Sequence, residues 1–251
     1  MKILVEIGLL FKRKLLEELR SPMWLFMGLT TPLLYLALFA PLLSGLSGEN
    51  NINIADTFVP GMLALFALGT GTGVGWVIIS ELKSGVIERF RVTPVSRFSL
   101  LMGNVLKDVV AFIIPSLVVI IVSHFLAGFD IKFGGLAVLM LLLAVLTAVI
   151  SAVSGSCGLI LKEVGTLAAV ITGLQLPITL LAGVLLPIDI GPAWLKILAH
   201  INPLYYVVDA SRVLAAGTIL DSKVYLAFGV MIPLLVLTLW WATRVYKKAI
   251  A

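Results

Sequence analysis

Two stretches carry side chains of the kind that do chemistry. Ser154-Gly155-Ser156-Cys157-Gly158 sets two hydroxyls and a thiol close together, and beside an imidazole base such groups attack acyl carbons. Two histidines are present to supply that base, His124 and His200. The second stretch, Gly69-Thr70-Gly71-Thr72-Gly73-Val74-Gly75, is rich enough in glycine to suggest a phosphate-binding loop. Its spacing does not give G-x-G-x-x-G, and no Gly-Lys-Ser/Thr follows a glycine-rich turn anywhere in the chain. No metal site is expected, since two histidines and one cysteine without close spacing do not surround an ion. What any of these groups can do depends on the elements that hold them.

Of 251 residues, 61% are apolar and 12% charged, where an ordinary globular domain has roughly 45–50% and about 25%. Too few charges remain to cover a soluble fold of this size. The apolar content excludes disorder, and the single Cys157 excludes a disulfide scaffold. Six stretches supply the roughly 20 apolar residues that a helix needs to cross a bilayer. They run from about Met23 to Leu43, Phe58 to Ile79, Val109 to Ala127, Gly134 to Leu161, Gly165 to Leu186, and Val224 to Thr243. No alternating strand pattern points to a barrel. The expectation is an all-α integral membrane protein, one domain over residues 1–251, with six transmembrane helices.

Charge placement sets the orientation. With the N-terminus inside, 14 of the 18 Lys and Arg fall on inner segments, which carry a formal +7 against −2 outside. Both termini are then cytoplasmic in a multi-pass cell-membrane protein. The net charge of +5 reflects the membrane, and no nucleic-acid partner is expected. Residues 1–20 read as an amphipathic surface helix rather than a secretion signal, because the apolar run that follows is too long and lacks a clean cleavage site. Leu4, Phe11, Leu15 and Leu19 share one side, and such a helix would lie among lipid headgroups.

This topology weakens the hydrolase reading. Both histidines fall toward the outer side while Ser156 and Cys157 sit toward the inner end of the fourth span, and a base must reach its nucleophile within about 3 Å. In the glycine run, Gly69 with Gly73 and Gly71 with Gly75 are small-xxx-small pairs suited to close helix packing, with a flexible pore lining as the other reading. Ion-coupled transport needs ionisable groups within the spans. The spans as drawn carry none in their middles, with Asp108, Lys162 and Glu163 at their ends. The energy source is then expected to be a partner on the inner side.

The inner loop 81–97 offers a docking element. Val86, Ile87 and Phe90 recur at helical spacing among Glu88, Arg89 and Arg91, and Pro94 stops or turns the chain. A short amphipathic helix with both signs of charge suits a protein groove; resting on headgroups is the alternative. Outside, residues 187–223 are apolar but broken by Pro192, Asn202-Pro203 and Gly217, which suits short re-entrant helices covered by protein. Trp194, Tyr205 and Tyr206 suit an interface. Asp209 and Arg212 lie one helical turn apart, suited to a local ion pair or to a gate at the outer exit.

Glu81, Gly85, Glu88, Pro94 and Arg97 after the second span resemble the first cytoplasmic loop of ABC-2 type permeases, the transmembrane subunits of bacterial and archaeal ATP-binding cassette exporters, including drug- and antibiotic-resistance types. Leu186-Pro187-Ile188-Asp189, Pro192-Ala193-Trp194-Leu195 and the run from Asn202 to Arg212 (Asn-Pro-Leu-Tyr-Tyr-Val-Val-Asp-Ala-Ser-Arg) resemble that family more closely still.

The resemblance implies a permease without a catalytic site or bound cofactor, paired with an ATP-binding cassette ATPase subunit that carries ATP and Mg, and with a second permease copy, identical or related. Coupling to the ATPase would fall to Glu81, Gly85, Glu88, Arg89, Arg91 and Pro94. An external gate would involve Asn202, Pro203, Tyr205, Tyr206, Asp209 and Arg212. The family's second and fifth spans flank the substrate path, which here would place Phe66, Thr70, Thr72, Trp76, Thr172, Gln175 and Thr179 along it, with Pro177 kinking the fifth span. A wall of aromatics, hydroxyls and one amide suits an amphiphilic or lipid-like cargo. A membrane scaffold or immunity-type protein without an ATPase, and an intramembrane hydrolase, are the alternatives.

Overall fold

In an apolar medium a helix satisfies its own backbone, and few other structures can. Every regular element of this chain is helical among the residues that the structure, a computed structural model, describes: 2–20, 26, 28–38, 55–91, 95–130, 132–184, 188 and 191–249. The helices are α1 (Lys2–Leu19), α2 (Gly28–Leu38), α3 (Ala55–Lys83), α4 (Val86–Arg91), α5 (Arg97–Ala127), α6 (Phe133–Leu161), α7 (Val164–Leu181), α8 (Ala193–Ile201), α9 (Pro203–Ala215) and α10 (Ser222–Ala249). Five of them, α3, α5, α6, α7 and α10, are long and apolar enough to cross a bilayer. The first expected span, Met23 to Leu43, is represented by the shorter apolar α2, and the rest of it lies outside the described residues.

The bundle is organised around α3 lying on α6, and glycine makes that approach possible. A Cβ on Gly75 would stand 2.6 Å from Ser154 Oγ and 2.8 Å from Leu167 Cδ2, one on Gly71 2.8 Å from Ile150 Cβ, and one on Gly158 2.7 Å from the Gly75 carbonyl. Ser154 Oγ seals the contact by donating to the Thr72 carbonyl at 2.7 Å and accepting from Gly75 N at 3.2 Å. Gly69 and Gly73 behave differently, with nothing among the described residues within 4 Å of their would-be Cβ atoms. Of the two small-residue pairs in the glycine run, one packs and the other faces open space. Around this pair, α5, α9 and α10 complete a core that includes Leu63, Phe112, Leu139, Leu143, Val207 and Met231. A second cluster at the α4 end holds Ile78, Ile87, Leu101, Val105, Leu159 and Tyr246.

Several expected boundaries shift. The third span was expected from Val109, but α5 begins at Arg97, because Leu100, Leu101 and Val105 continue the apolar periodicity into a packed cluster. The 31-residue helix is about 46 Å long, longer than a bilayer core, and it carries Lys107 and Asp108 inside the helix. The fifth span was expected to reach Leu186. Instead α7 closes at Leu181, followed by a turn at Ala182 and Gly183 in which Gly183 takes φ +67°, a value glycine adopts at little cost.

α1 turns charges rather than leucines toward the bundle. Leu4 is 74% exposed and Leu19 is exposed, whereas Lys14 is only 7% exposed. The helix turns the i, i+4 row of Glu6, Leu10, Lys14 and Glu18 inward, parallel to the first turns of α5. Glu6 Oε2 accepts from Ser96 N at 3.0 Å and Ser99 Oγ at 3.1 Å. Leu10 packs on Gly103, Lys14 pairs with Glu81, and Glu18 pairs with Lys107 at 3.0 Å. Partners for the charges, rather than hydrophobicity, decide which side of α1 faces protein.

The glycine contacts predict an asymmetric mutational response. Gly75→Val should overpack the α3–α6 interface by about 1–3 kcal/mol and lower the melting temperature in detergent. Gly73→Ala should be neutral or mildly stabilising, by up to about 1 kcal/mol. Equal melting shifts in the two variants would contradict the packing described.

Candidate functional site: an apolar cavity and a charged clasp

The face of α3 that does not pack on α6 borders a cavity of about 1280 Å³. Phe66, Gly69, Thr70, Gly73 and Val77 line it from α3, and Thr172, Gln175, Leu176, Thr179 and Leu180 from α7. Tyr35 of α2 and Ala111 and Pro115 of α5 complete the wall. Gly69 and Gly73 contribute width by having no side chain there. Two of the hydroxyl protons are already used: Thr70 Oγ1 donates to the Phe66 carbonyl and Thr179 Oγ1 to the Gln175 carbonyl, both at 2.9 Å. Such back-bonding leaves the hydroxyl oxygens as acceptors in an otherwise apolar wall.

Five of the seven expected path residues line this space, namely Phe66, Thr70, Thr172, Gln175 and Thr179. Thr72 and Trp76 do not. Thr72 is drawn toward α6 by Ser154, and its own hydroxyl donates to the Gly69 carbonyl at 2.7 Å.

At one end the cavity touches three ionisable groups, Glu18, Lys107 and Asp108. Lys107 Nζ lies 2.6 Å from Asp108 Oδ1 and 3.0 Å from Glu18. A buried ammonium is tolerable only with such partners. Asp108 was expected at the inner end of the third span, and the longer α5 holds it and Lys107 within a helix. Their meeting with Glu18 depends on α5 beginning at Arg97, ahead of the span expected from Val109, and on α1 turning Glu18 toward it. The legible signal was the i, i+4 row from Glu6 to Glu18, which on a lipid-facing surface would be costly.

One turn before Glu18, Lys14 meets Glu81 at the last turn of α3. The chain then turns through Ser84 and Gly85, with Gly85 at φ +71°, into α4. Glu88 and Arg89 are exposed there while Ile87 is buried. Arg91 ends α4, and Pro94 lies outside the described residues. At the opposite end of the bundle, Asn202 caps α9 by accepting from Leu204 N at 3.0 Å, with Pro203 in the first turn, as suits a residue without an N–H. Asn202 Nδ2 also donates to the Ile178 carbonyl at 2.7 Å, and Arg212 donates to the Gly183 carbonyl at 2.6 Å. Asn202 and Arg212 thus tie the end of α7 to α9. Asp209 pairs with Lys223 at 2.9 Å rather than with Arg212. Tyr206 donates to the His200 carbonyl at 2.9 Å, and the Tyr205 and Tyr206 rings meet edge-on, 5.5 Å between centroids.

The hydroxyls of the Ser-Cys stretch serve the helices themselves. Ser156 Oγ donates to the Ala152 carbonyl at 2.7 Å. His124 Nδ1 sits 2.7 Å from the Phe129 carbonyl, beside the start of α6. Ser154 lies 21 residues along α6 from that start, or about 30 Å away.

Residues 5–215 match the ABC-2 type transporter family. The chain belongs to that family. It is 31% identical over 214 residues to a putative transport permease, ycf38, of Cyanophora paradoxa, covering 83% of this chain and 73% of that one. It is 24% identical over 193 residues to the daunorubicin resistance ABC transporter permease protein DrrB1 of Streptomyces coeruleorubidus, covering 74% and 66%. It is 25% identical over 209 residues to the inner membrane transport permease YadH of Escherichia coli K12, covering 82% and 80%. This ABC-2 family protein is therefore a multi-pass membrane subunit of an ABC transporter, in a family whose ATPase activity lies in partner subunits.

The α1–α3 clasp predicts a charge-swap result. Lys14→Glu or Glu81→Lys alone leaves like charges buried together and should destabilise the protein by about 3 kcal/mol. The double variant should recover most of the loss. A double variant no better than the worse single one in thermal unfolding would mean that the pair does not hold α1.

Proposed function

We propose that this ABC-2 protein is the membrane subunit of an exporter for an amphiphilic or lipid-like substrate, such as a drug, antibiotic, glycan or lipid. The cavity carries the reading: away from its charged end its wall is mostly apolar, with Thr and Gln side chains as polar points along α3 and α7. Such a wall accepts an apolar body with a few hydrogen-bonding groups and offers no cage for a free ion. That one relative is a daunorubicin resistance permease is in keeping with a drug as cargo.

In this reading six helices cross the cell membrane with both termini in the cytoplasm, which places α4 on the inner side. A separate ATPase subunit, which binds ATP and Mg, docks against α4 and the Glu81 end of α3, with Gly85, Glu88, Arg89, Arg91 and Pro94 forming the joint. α7 has a single buried residue, Leu167, among its 18, and its apolar surface meets a second permease copy, identical or related. The apolar side of α1 lies in the inner leaflet. The exposed Trp194, Ile197 and Ile201 of α8 dip into the outer leaflet, and the ties from Asn202 and Arg212 to α7 act as the exit gate. Alternating exposure of the cavity moves the substrate outward.

The test is the permease copurified with its ATP-binding subunit and reconstituted in vesicles. Gly85→Val strains a left-handed residue and Glu88→Lys reverses an exposed charge. Each should leave insertion and ATP hydrolysis in place while lowering transport about tenfold. Thr179→Trp should block transport by filling the cavity. Full transport by all three variants, or transport by the chain without the ATPase subunit, would overturn the reading.

A further inference from the structure

The charged end of the cavity is not accounted for by an apolar path. Two carboxylates, Glu18 and Asp108, face one ammonium, Lys107, so the group carries a formal −1 beside a wall that otherwise presents hydrocarbon and neutral polar groups. Asp108 is 1% exposed, and its Oδ2 has no hydrogen-bond partner among the described residues. Glu18 is the more accessible carboxylate, its side chain 18% exposed against 1% for Asp108. An uncompensated buried charge is expensive, and a counter-charge that arrives with a ligand removes the imbalance.

Resting on the cavity reading above, we propose that Glu18, Lys107 and Asp108 form a recognition subsite for a positively charged nitrogen. The protein therefore selects amphiphiles that carry an ammonium or similar cation on an apolar body. An incoming cation brings the cluster to two positive and two negative groups. A neutral ligand leaves it at −1, and an anionic ligand raises it to −2 where water is scarce and the Coulomb term is large. Glu18 makes the direct contact, and Lys107 bridges the two carboxylates. The apolar body then lies along Phe66, Leu176 and Leu180.

The experiment uses the permease with its ATPase subunit in nanodiscs and three xanthene dyes of similar shape: cationic rhodamine 6G, zwitterionic rhodamine B and anionic fluorescein. Binding is read by fluorescence anisotropy without nucleotide. Rhodamine 6G should bind about tenfold more tightly than fluorescein, and Thr179→Trp should abolish binding of both. Glu18→Gln should erase the charge preference while leaving rhodamine B unchanged. Lys107→Gln should sharpen the preference for the cation, and Glu163→Gln, at the start of α7, should match the parent. Adding phosphatidylethanolamine to the discs separates two sources of the nitrogen: competition with rhodamine 6G identifies a lipid amine, and none identifies a soluble amphiphile. Equal binding of cation and anion that Thr179→Trp still blocks would overturn the charge subsite and leave the cavity reading standing. No binding by any dye would overturn both.

Discussion

Close approach of α3 to α6 is the interaction on which the rest of this membrane subunit depends. Among lipid tails no hydrophobic gain draws one apolar helix to another, so association rests on van der Waals contact and on hydrogen bonds between helices. Gly71, Gly75 and Gly158 let the backbones come close enough for both, and Ser154 bridges them. One short run of sequence has two consequences. Glycines at 71 and 75 fix α3 against the bundle, and those at 69 and 73, on the other side of the same helix, leave room for the cavity. The cavity is thus the reverse face of the α3–α6 contact, and both are set by the same two turns.

Charge obeys a different rule in this molecule. An ionised group away from water needs a partner close by, and that need sets the rotation of α1. Leu4 and Leu19 remain exposed while Lys14 and Glu18 turn inward. In water the opposite rotation would be favoured, with leucines inward and charges out. The outward leucines of α1 are therefore evidence of its own for a helix that lives against lipid or against another apolar surface.

The long helices were legible in the sequence because hydropathy over about 20 residues is a strong signal. The α8–α9 corner was legible for a local reason: Pro192, then Asn202 followed by Pro203, spell a start, a cap and a restart whatever the tertiary setting. The Asn-Pro-Leu-Tyr-Tyr run pointed correctly to the ABC-2 family. What escaped were features fixed by contacts between distant elements. The start of α5 at Arg97 is decided by packing of Leu100, Leu101 and Val105 in the cluster at the α4 end, where hydropathy over a full span does not reach. The partner of Asp209 is Lys223, 14 residues on, where spacing alone pointed to Arg212. Thr72 looked equivalent to Thr70 until Ser154 claimed its carbonyl. The charged end of the cavity combines two such misses, since both α1 and α5 had to be placed before Glu18 and Lys107 could meet.

Those placements put the two proposed working parts close together. Lys14 grips Glu81, on the last turn of α3 just before the Gly85 joint and α4. Glu18, one turn further along the same helix and about 6 Å away, borders the cavity through its pairing with Lys107. A helix turn is stiff, so α1 cannot follow a displacement of Glu81 without moving Glu18 relative to α5. Under the proposed function, motion received at α4 then reaches the cavity through two ion pairs and one turn of helix, without any rearrangement of the α3–α6 core. That separation is physically economical: a close-packed core resists continuous deformation, while ion pairs at its margin can exchange partners.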